Sequence, residues 1–553
     1  MRKLTIFILG CCVLGYGSVF YIDPQHGDIG NDGSMQNPWS TLQEVIENNK
    51  IETRQPVDYP YHWGEPLEPK NSDAPVNAGD TLFLRDGYHG EILISRFYNT
   101  DYITIVADSG HTPGIKSLRT LGAGKWIFKN LRISPELVPP YEDIDPLVDI
   151  ENHGYSGPSR EIIVENCYIY SVEDASSWSM NDWDTQSCNA IGVGGAHVII
   201  RNNYCRNVDF GISVGGDSCL VEGNTVENFA GDGLRGLGND IAFVNNIVKN
   251  CYDVNGNHDD GFQSWSRTAD GVGQGTVYRI KLIGNVIINY DDPDQPFRGT
   301  LQGIGCFDGF FEDWIVENNV IITDHWHGIT LSGAVNCRIV NNTVCDLNNQ
   351  NPGPPWVRIG DHKTRGPSSG CIVRNNLTTS LNSSDVGVTE DHNIIISDPD
   401  EFFVDYSSFD LRLKPGCEAV DAGSSDQAPS VDIAGTSRPQ QSGYDIGAYE
   451  YVDPTQFVKN AAATHALGLK IALTPSKIVV WFPSAMGDRI ESARLYDLRG
   501  AGIVDLEKPY HNGPSSAEWN ISQSLQDKFR AGIYVLEISG PKIKLNSRVS
   551  HIE

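Results

Sequence analysis

The segment CLVEGNTVENF, residues 219–229, decides the fold because its pattern does not stand alone. Short apolar runs flank the asparagine Asn224, and the arrangement returns in IIVENCYIY (162–170), VIIRNNYCRNV (198–208), AFVNNIVKNC (242–251), KLIGNVIINY (281–290), WIVENNVIITD (314–324), CRIVNNTVCDL (337–347) and CIVRNNLTTSL (371–381). With Asn166, Asn203, Asn224, Asn246, Asn285, Asn319, Asn342 and Asn376 as markers, the spacings are 37, 21, 22, 39, 34, 23 and 34 residues. The shortest spacing is one coil of a parallel β-helix, and the longer ones are the same coil with roughly 12 to 18 residues looped out. Asparagine suits such a repeat because it tolerates the left-handed conformation at a bend and hydrogen-bonds along a stack. A β-sandwich would instead need Asn-Gly-type hairpin turns between alternating strands.

Composition agrees with an elongated, exported protein. The chain has 553 residues, 56 of them Gly and only 4 Met, which suits a solenoid with an appendage better than one compact domain. MRKLTIFILGCCVLGYG at the start pairs Arg2 and Lys3 with an apolar run and small residues, the pattern of a secretory signal peptide over 1–17. Cys11 offers a lipidation alternative, against which Leu9 fits poorly. The protein is therefore expected to be secreted or attached to the cell surface, monomeric and without a membrane span. A formal charge of −30 argues against nucleic acid as a partner but leaves room for an anionic polysaccharide held in a local cationic groove. In an exported protein the cysteines invite disulfides. The repeats offer another reading, because Cys219, Cys337 and Cys371 occupy the place taken by Val198, Ile241, Ile280 and Trp314 in other coils and so read as apolar fillers.

FYIDPQHGDIGNDGSMQNPWSTLQEVI near the N-terminus gives a strand, a Gly/Asp loop and a helix opened by Ser40 or Thr41, suited to covering the open end of a solenoid. This stretch, with LRLKPGCEAVDAGSSD and DIGAYEY at the far end, resembles secreted right-handed β-helix proteins of the pectate-lyase-like superfamily over about residues 20–452. Residues 18–452 are thus expected to be the catalytic β-helix, followed by a linker over 453–465. KIVVWFP, SARLYDLRG, AGIYVLEISG and KIKLNSRVS then read as strands of a small β-sandwich over 466–553. Its GIYVLEI resembles the C-terminal sorting domains of type IX secretion cargo, which implies that secretion machinery as a partner; a carbohydrate-binding module is the alternative.

A second ladder follows the markers: NAIGVGG, FGISVGG, DGLRGLG, DGFQSWS, QGIGCFD and HGITLSG. Ile191, Ile212, Leu234, Phe262, Ile304 and Ile329 are its inward column. The residues two before them, Asn189, Phe210, Asp232, Asp260, Gln302 and His327, are expected to face solvent. So are those one after, Gly192, Ser213, Arg235, Gln263, Gly305 and Thr330. Coils about 4.8 Å apart would stack the carboxylates of Asp232 and Asp260, with Asp259 beside them. One of these must then be protonated, compensated by Arg235, or bridged by a cation. As single residues they would read as turn caps.

DGLRG followed one coil later by DDGFQSW resembles the calcium-binding segments of family nine polysaccharide lyases. The resemblance implies Ca2+ as cofactor, with Asp232, Asp259 and Asp260 as ligands. Two departures stand against it. Gln263 occupies the place of a further aspartate, and no lysine between Lys281 and Lys363 matches that family's catalytic lysine. The candidates for the base are then His258, His327, Arg235 and Arg298, since a histidine titrates near neutrality and an arginine better neutralises a carboxylate. Gln263, Trp265, Gln302, His325 and Trp326 are expected to bind substrate, the tryptophans by stacking on sugar rings; core packing is the other reading of Trp326. Loops at 252–257, 290–300 and 348–366, the last carrying Trp356, border the same face. The leading expectation is an exported polysaccharide lyase or C5-epimerase acting on a uronic-acid polymer. A glycoside hydrolase using Asp232 and Asp260, and a non-catalytic glycan binder, are the alternatives.

Overall fold

The computed structural model describes residues 17–383 and 387–452, together with the backbone of strands between 470 and 551. The leader through residue 16 and the linker at 453–465 lie outside the described residues. The described chain divides into two compact units: one runs to Ser397 and takes in Ile446–Ala448, and the other comprises Asp398–Asp445 and the residues from Tyr449 onward.

The first unit is a right-handed parallel β-helix. One coil shows the plan, with Ala242–Val244, Ile247–Cys251 and Asp259–Trp265 as its three strands. Each pairs in parallel with its counterpart in the next coil, so like residues stack on like. Val226, Val248, Ile287, Ile321 and Val344 form one interior stack, and Ile212, Leu234, Phe262, Ile304 and Ile329 another; all are buried. Burying each such side chain stabilises the fold by about 2 kcal/mol.

At the corner between the first two strands, two consecutive positions divide the work that one marker asparagine was expected to do. The first position makes the bend: Asn166, Asn202, Asn245, Asn318, Asn341 and Asn375 have φ of 53–56°, and Gly223 and Gly284 take the same region at 66° and 65°. The second makes the stack. Asn203 Nδ2 donates to Asn224 Oδ1 at 2.9 Å, Asn224 to Asn246 at 3.0 Å, and Asn246 to Asn285 at 2.9 Å. The ladder continues through Asn319, Asn342 and Asn376 to Asn393. Asn166 is therefore a bend residue and not a rung, since Cys167 takes the stacking position and donates its backbone N–H to Asn203 Oδ1.

Each interior rung is fully satisfied. Asn246 Oδ1 accepts from the backbone N–H and the Nδ2 of Asn224, while its Nδ2 donates to Asn285 Oδ1 and to the carbonyl of Val221. Two lone pairs and two N–H bonds are all that an amide side chain offers. Burial at 0% exposure is thereby tolerated.

Cys219, Cys337 and Cys371 are buried and free, as fillers should be, and no disulfide occurs among the described cysteines. At the N-terminal end the helix Leu42–Glu47 is capped by Thr41, whose Oγ1 accepts from the Glu44 N–H at 3.2 Å; Leu42 and Val45 are buried. In the second unit, Lys470–Thr474, Lys477–Trp481 and Ser516–Asn520 form an antiparallel sheet. Ser492–Tyr496, Gly502–Leu506, Gly532–Gly540 and Ile543–His551 form another. Among the described residues no helix is long and apolar enough to cross a membrane.

Asn246→Ala strips Asn224 of the acceptor for two buried donors and should cost on the order of 3 kcal/mol. Thermal unfolding followed by circular dichroism reads this as a clearly lowered midpoint; an unchanged midpoint would mean that the ladder is not a source of stability.

Candidate functional site

The site lies on the third strand position of the coils. The strands Leu234–Gly236, Asp259–Trp265, Leu301–Asp308, His327–Ser332 and Trp356–Gly360 run side by side in parallel. Their register places Ser213, Arg235, Gln263, Gly305, Thr330 and Arg358 in one outward column. Strict alternation would turn the residues two before Leu234 and Phe262 inward. Glycines prevent it. Gly211, Gly233, Gly261, Gly303 and Gly328 each precede the inward apolar residue, and a side chain there would strike the interior stack: a Cβ on Gly233 would come within 2.3 Å of Val248 Cγ1, and on Gly261 within 2.4 Å of Ile287 Cγ2. The bend they allow puts Asp232 and Asp260 on the outer side, among Arg235, His258 and Gln263.

Outward does not mean exposed here. Asp232 and Asp260 are 2% and 0% exposed, so the expectation that they face solvent is corrected: neighbouring side chains lie over them. Arg235 Nε donates to Asp232 Oδ2 at 2.5 Å, and the guanidinium stacks on Phe210, its carbon 3.7 Å from the ring centroid, with Trp265 on another side at 5.4 Å. Asp232 Oδ1 accepts the backbone N–H of Asp260 at 3.0 Å. Asp260 Oδ2 accepts from His258 Nδ1 and Gln263 Nε2, both at 2.9 Å. Its Oδ1 is buried without a hydrogen-bond partner, as is Gln302 Oε1 on the paired residue of the next coil. Both oxygens border the space over Gly305, where a Cβ would meet Asp260 Oδ1 at 2.1 Å and Gln302 Oε1 at 2.9 Å.

These contacts set the proton affinities. Burial raises the Asp232 carboxyl against the pull of Arg235. It raises Asp260 to about 7, against the hydrogen bond from His258 and with help from the Asp232 charge. The bond to Asp260 in turn raises His258. Asp259 turns away from this group: its Oδ2 accepts from Cys251 Sγ at 3.5 Å, its Oδ1 is buried without a partner, and burial raises it to about 8.

The three aspartates that the resemblance implies as calcium ligands face two ways, Asp232 and Asp260 toward Arg235 and His258, and Asp259 toward Cys251. Among the described residues no three His, Cys, Asp or Glu side chains converge as a group that could hold a metal ion. Arg235 occupies the outer oxygen of Asp232, and Asp259 faces Cys251, so the compensating positive charge beside Asp232 belongs to the arginine.

Further along the face, His325, Trp326, His327 and Trp356 cluster. His325 and His327 have ring centroids 5.1 Å apart, and His327 lies edge-on to Trp356 at 5.4 Å and to Phe307 at 4.7 Å. Burial lowers both histidines to about 4, so they are neutral at neutral pH. Trp326 is 47% exposed, which rules out core packing for it. Arg298 is exposed, with its guanidinium over Tyr290 at 5.1 Å, and makes no hydrogen bond or ion pair with the carboxylates. Arg358 shares the column of Arg235 and was not anticipated from sequence. Its segment, PPWVRIG, lacks the glycine that marks the other rungs of the ladder.

No protein-family model and no curated protein matches the chain. Among solved structures, pectate lyase Pel9A is 12% identical with a TM-score of 0.44, the match covering 79% of this chain and 97% of that one. The A-module of the Azotobacter vinelandii mannuronan C-5 epimerase AlgE6 is 12% identical with a TM-score of 0.36, covering 57% and 91%. A GH136 lacto-N-biosidase from Eubacterium ramulus is 13% identical with a TM-score of 0.32, covering 68% of each chain.

The buried Asp259 makes a testable contribution to stability. Its folded-state pKa lies above the unfolded value of 3.8, so below about pH 4 both states hold the proton and nothing is lost. Between there and about pH 8 the unfolded chain ionises first and stability falls. Asp259→Asn should therefore melt higher than the natural protein at pH 8, with the difference shrinking toward pH 4; a difference independent of pH would mean that Asp259 ionises normally.

Proposed function

We propose that the protein is an enzyme of acidic polysaccharides that removes the proton at C5 of a uronate residue. The observation that carries this reading is the pair His258 Nδ1 and Asp260 Oδ2, 2.9 Å apart and one coil from Arg235. Asp260 fixes the histidine tautomer and strengthens it as a base, leaving Nε2 to meet substrate. The side chain is open to do so, being 66% exposed. The proton at C5 is weakly acidic until the neighbouring carboxylate is neutralised. Arg235 is suited to neutralising it, because its Nε is held by Asp232 and its plane by Phe210, while its Nη groups form no hydrogen bond within the described structure.

In the reaction the C5–H electron pair moves toward the bond between C5 and the carboxylate carbon as the proton passes to His258 Nε2. The negative charge spreads onto the carboxylate oxygens beside Arg235. In a lyase that pair then forms the C4–C5 double bond as the C4–O4 bond breaks, and the leaving oxygen takes a proton from water, giving an unsaturated uronate. In an epimerase a proton returns to C5 from the opposite face. Both outcomes share the first step. Arg235 already supplies a positive charge beside Asp232, so the step is assigned to the arginine and not to the calcium that the resemblance implies, and activity should persist in excess chelator.

His258→Gln should lower turnover of polyuronates roughly 100-fold or more, the usual contribution of a general base, without lowering the melting temperature. Ultraviolet absorbance of the unsaturated product, and deuterium uptake at C5 where none forms, are the readouts. In the natural enzyme the rate should rise with pH as His258 loses its proton, on a limb above the ordinary histidine range. Asp260→Asn should move that limb to lower pH. New reducing ends without unsaturation or exchange would replace this reading with hydrolysis.

A further inference from the structure

The outward column that carries Arg235 reaches a second arginine four coils on. Arg235 pairs with Gln263, Gln263 with Gly305, Gly305 with Thr330 and Thr330 with Arg358. At about 4.8 Å per coil the two arginine positions are roughly 19 Å apart, with only uncharged residues of the column between them. The Arg358 guanidinium carbon lies 5.5 Å from the Trp356 ring centroid, and no carboxylate pairs with it in the described structure. Trp356 is held in place: its Nε1 donates to Thr330 Oγ1 at 3.0 Å, and that hydroxyl also bonds His327 Nδ1 at 2.9 Å. Trp326 stacks on Trp356 with centroids 6.3 Å apart and planes within 15°, yet it is 47% exposed. A fixed, half-open aromatic pair beside an unpaired cation complements a flat sugar ring that bears a carboxylate.

In the opposite direction the column passes through Ser213 and Gly192 to Asp149 and then Arg119, which pairs with Asp149 and Glu151. Gly192 pairs with Asp149, which stands beside Glu151 and Asp145, and Pro146 lies over Gly192, 3.0 Å from where its Cβ would be. Asp209, also close to Asp145, adds to this wall. Pro146 thus covers the column at Gly192, and Arg119 already occupies the carboxyl groups beyond it.

We propose that Arg358, Trp326 and Trp356 form a distal subsite for a carboxylated sugar, and that an acidic chain extends from Arg235 toward it and not across Asp149. This deepens the proposed function and rests on it. The direction follows from the cation of Arg358 on one side and the cover of Pro146 over Gly192 on the other, and the span follows from the coil spacing.

The test is calorimetric titration of the full-length protein, carrying His258→Gln to prevent turnover, with galacturonate and mannuronate oligomers of increasing length and neutral cello-oligosaccharides as control. Affinity should rise with length until an oligomer spans both arginines. Adding Arg358→Gln, or separately Trp326→Ala, should then weaken the long acidic oligomers about tenfold and leave the short ones unchanged, while Asp149→Asn should not weaken either. Both altered side chains are at least partly exposed, and a melting curve verifies folding. Long acidic oligomers that bind equally well to the Arg358→Gln protein would overturn the subsite alone. An equal loss with the neutral series would overturn its preference for a carboxylate, and no binding of any acidic oligomer would overturn the proposed function with it.

Discussion

Everything on the functional face depends on the hydrogen-bonded stack of buried asparagines. A parallel coil has no tight hairpin to fix its register, so register must come from something that repeats once per turn. Each rung uses both lone pairs and both N–H bonds of its amide, so a coil slipped by one residue would bury several unpaired polar groups at once. That penalty locks successive coils at one spacing and one phase. Asp232 and Asp260 are neighbours because Asn224, Asn246 and Asn285 are. The site is therefore assembled by residues on a different corner of the coil from those that touch substrate.

The same register imposes a cost that the site then uses. Stacked coils bring carboxylates together, and burial disfavours their ionised forms. Each is handled differently. Asp232 has a guanidinium and a backbone N–H, Asp260 has an imidazole and an amide, and Asp259 has only a thiol. The pairing of Asp260 with His258 is thus both the means by which a buried carboxylate is accommodated and the means by which an exposed imidazole is made more basic. One hydrogen bond serves stability and chemistry together.

Much of this was legible in the sequence, because a solenoid writes its repeat directly into residue spacing. The period of Asn203 to Asn376, the inward column from Ile191 to Ile329 and the grouping of Asp232, Arg235, His258, Asp260 and Gln263 were readable from alignment of the chain with itself, and the strands Lys477–Trp481, Ser492–Tyr496, Gly532–Gly540 and Ile543–His551 from their own apolar pattern. What was hidden involved distinctions the repeat does not encode. Asn166 looks like a rung but is a bend, since only backbone conformation separates two adjacent asparagines. The burial of Asp260 depends on Gly261, whose missing side chain lets the chain turn and places the carboxylate on the outer side. The separation of Asp259 from its neighbour follows from the same turn. Arg358 escaped because its coil drops the glycine motif while keeping the register.

The formal charge of −30 describes the whole surface, and the chain's functional face departs from it in a graded way. Toward the N-terminal coils carboxyl groups gather at Asp145, Asp149 and Asp209, with Arg119 paired to Asp149 and Glu151. At the middle, acid and base are interleaved, with Arg235 held on Asp232. Beyond Gly305 the histidines His325 and His327 are neutral, and Arg358 pairs with no carboxylate among the described residues. A mean negative field lowers the encounter rate with a polyanion, but contacts made within a Debye length, about 8 Å at physiological ionic strength, respond to local charge. If the proposed function holds, the acidic remainder contributes to selectivity, because an anionic chain bound away from Arg235 and Arg358 meets more carboxylates.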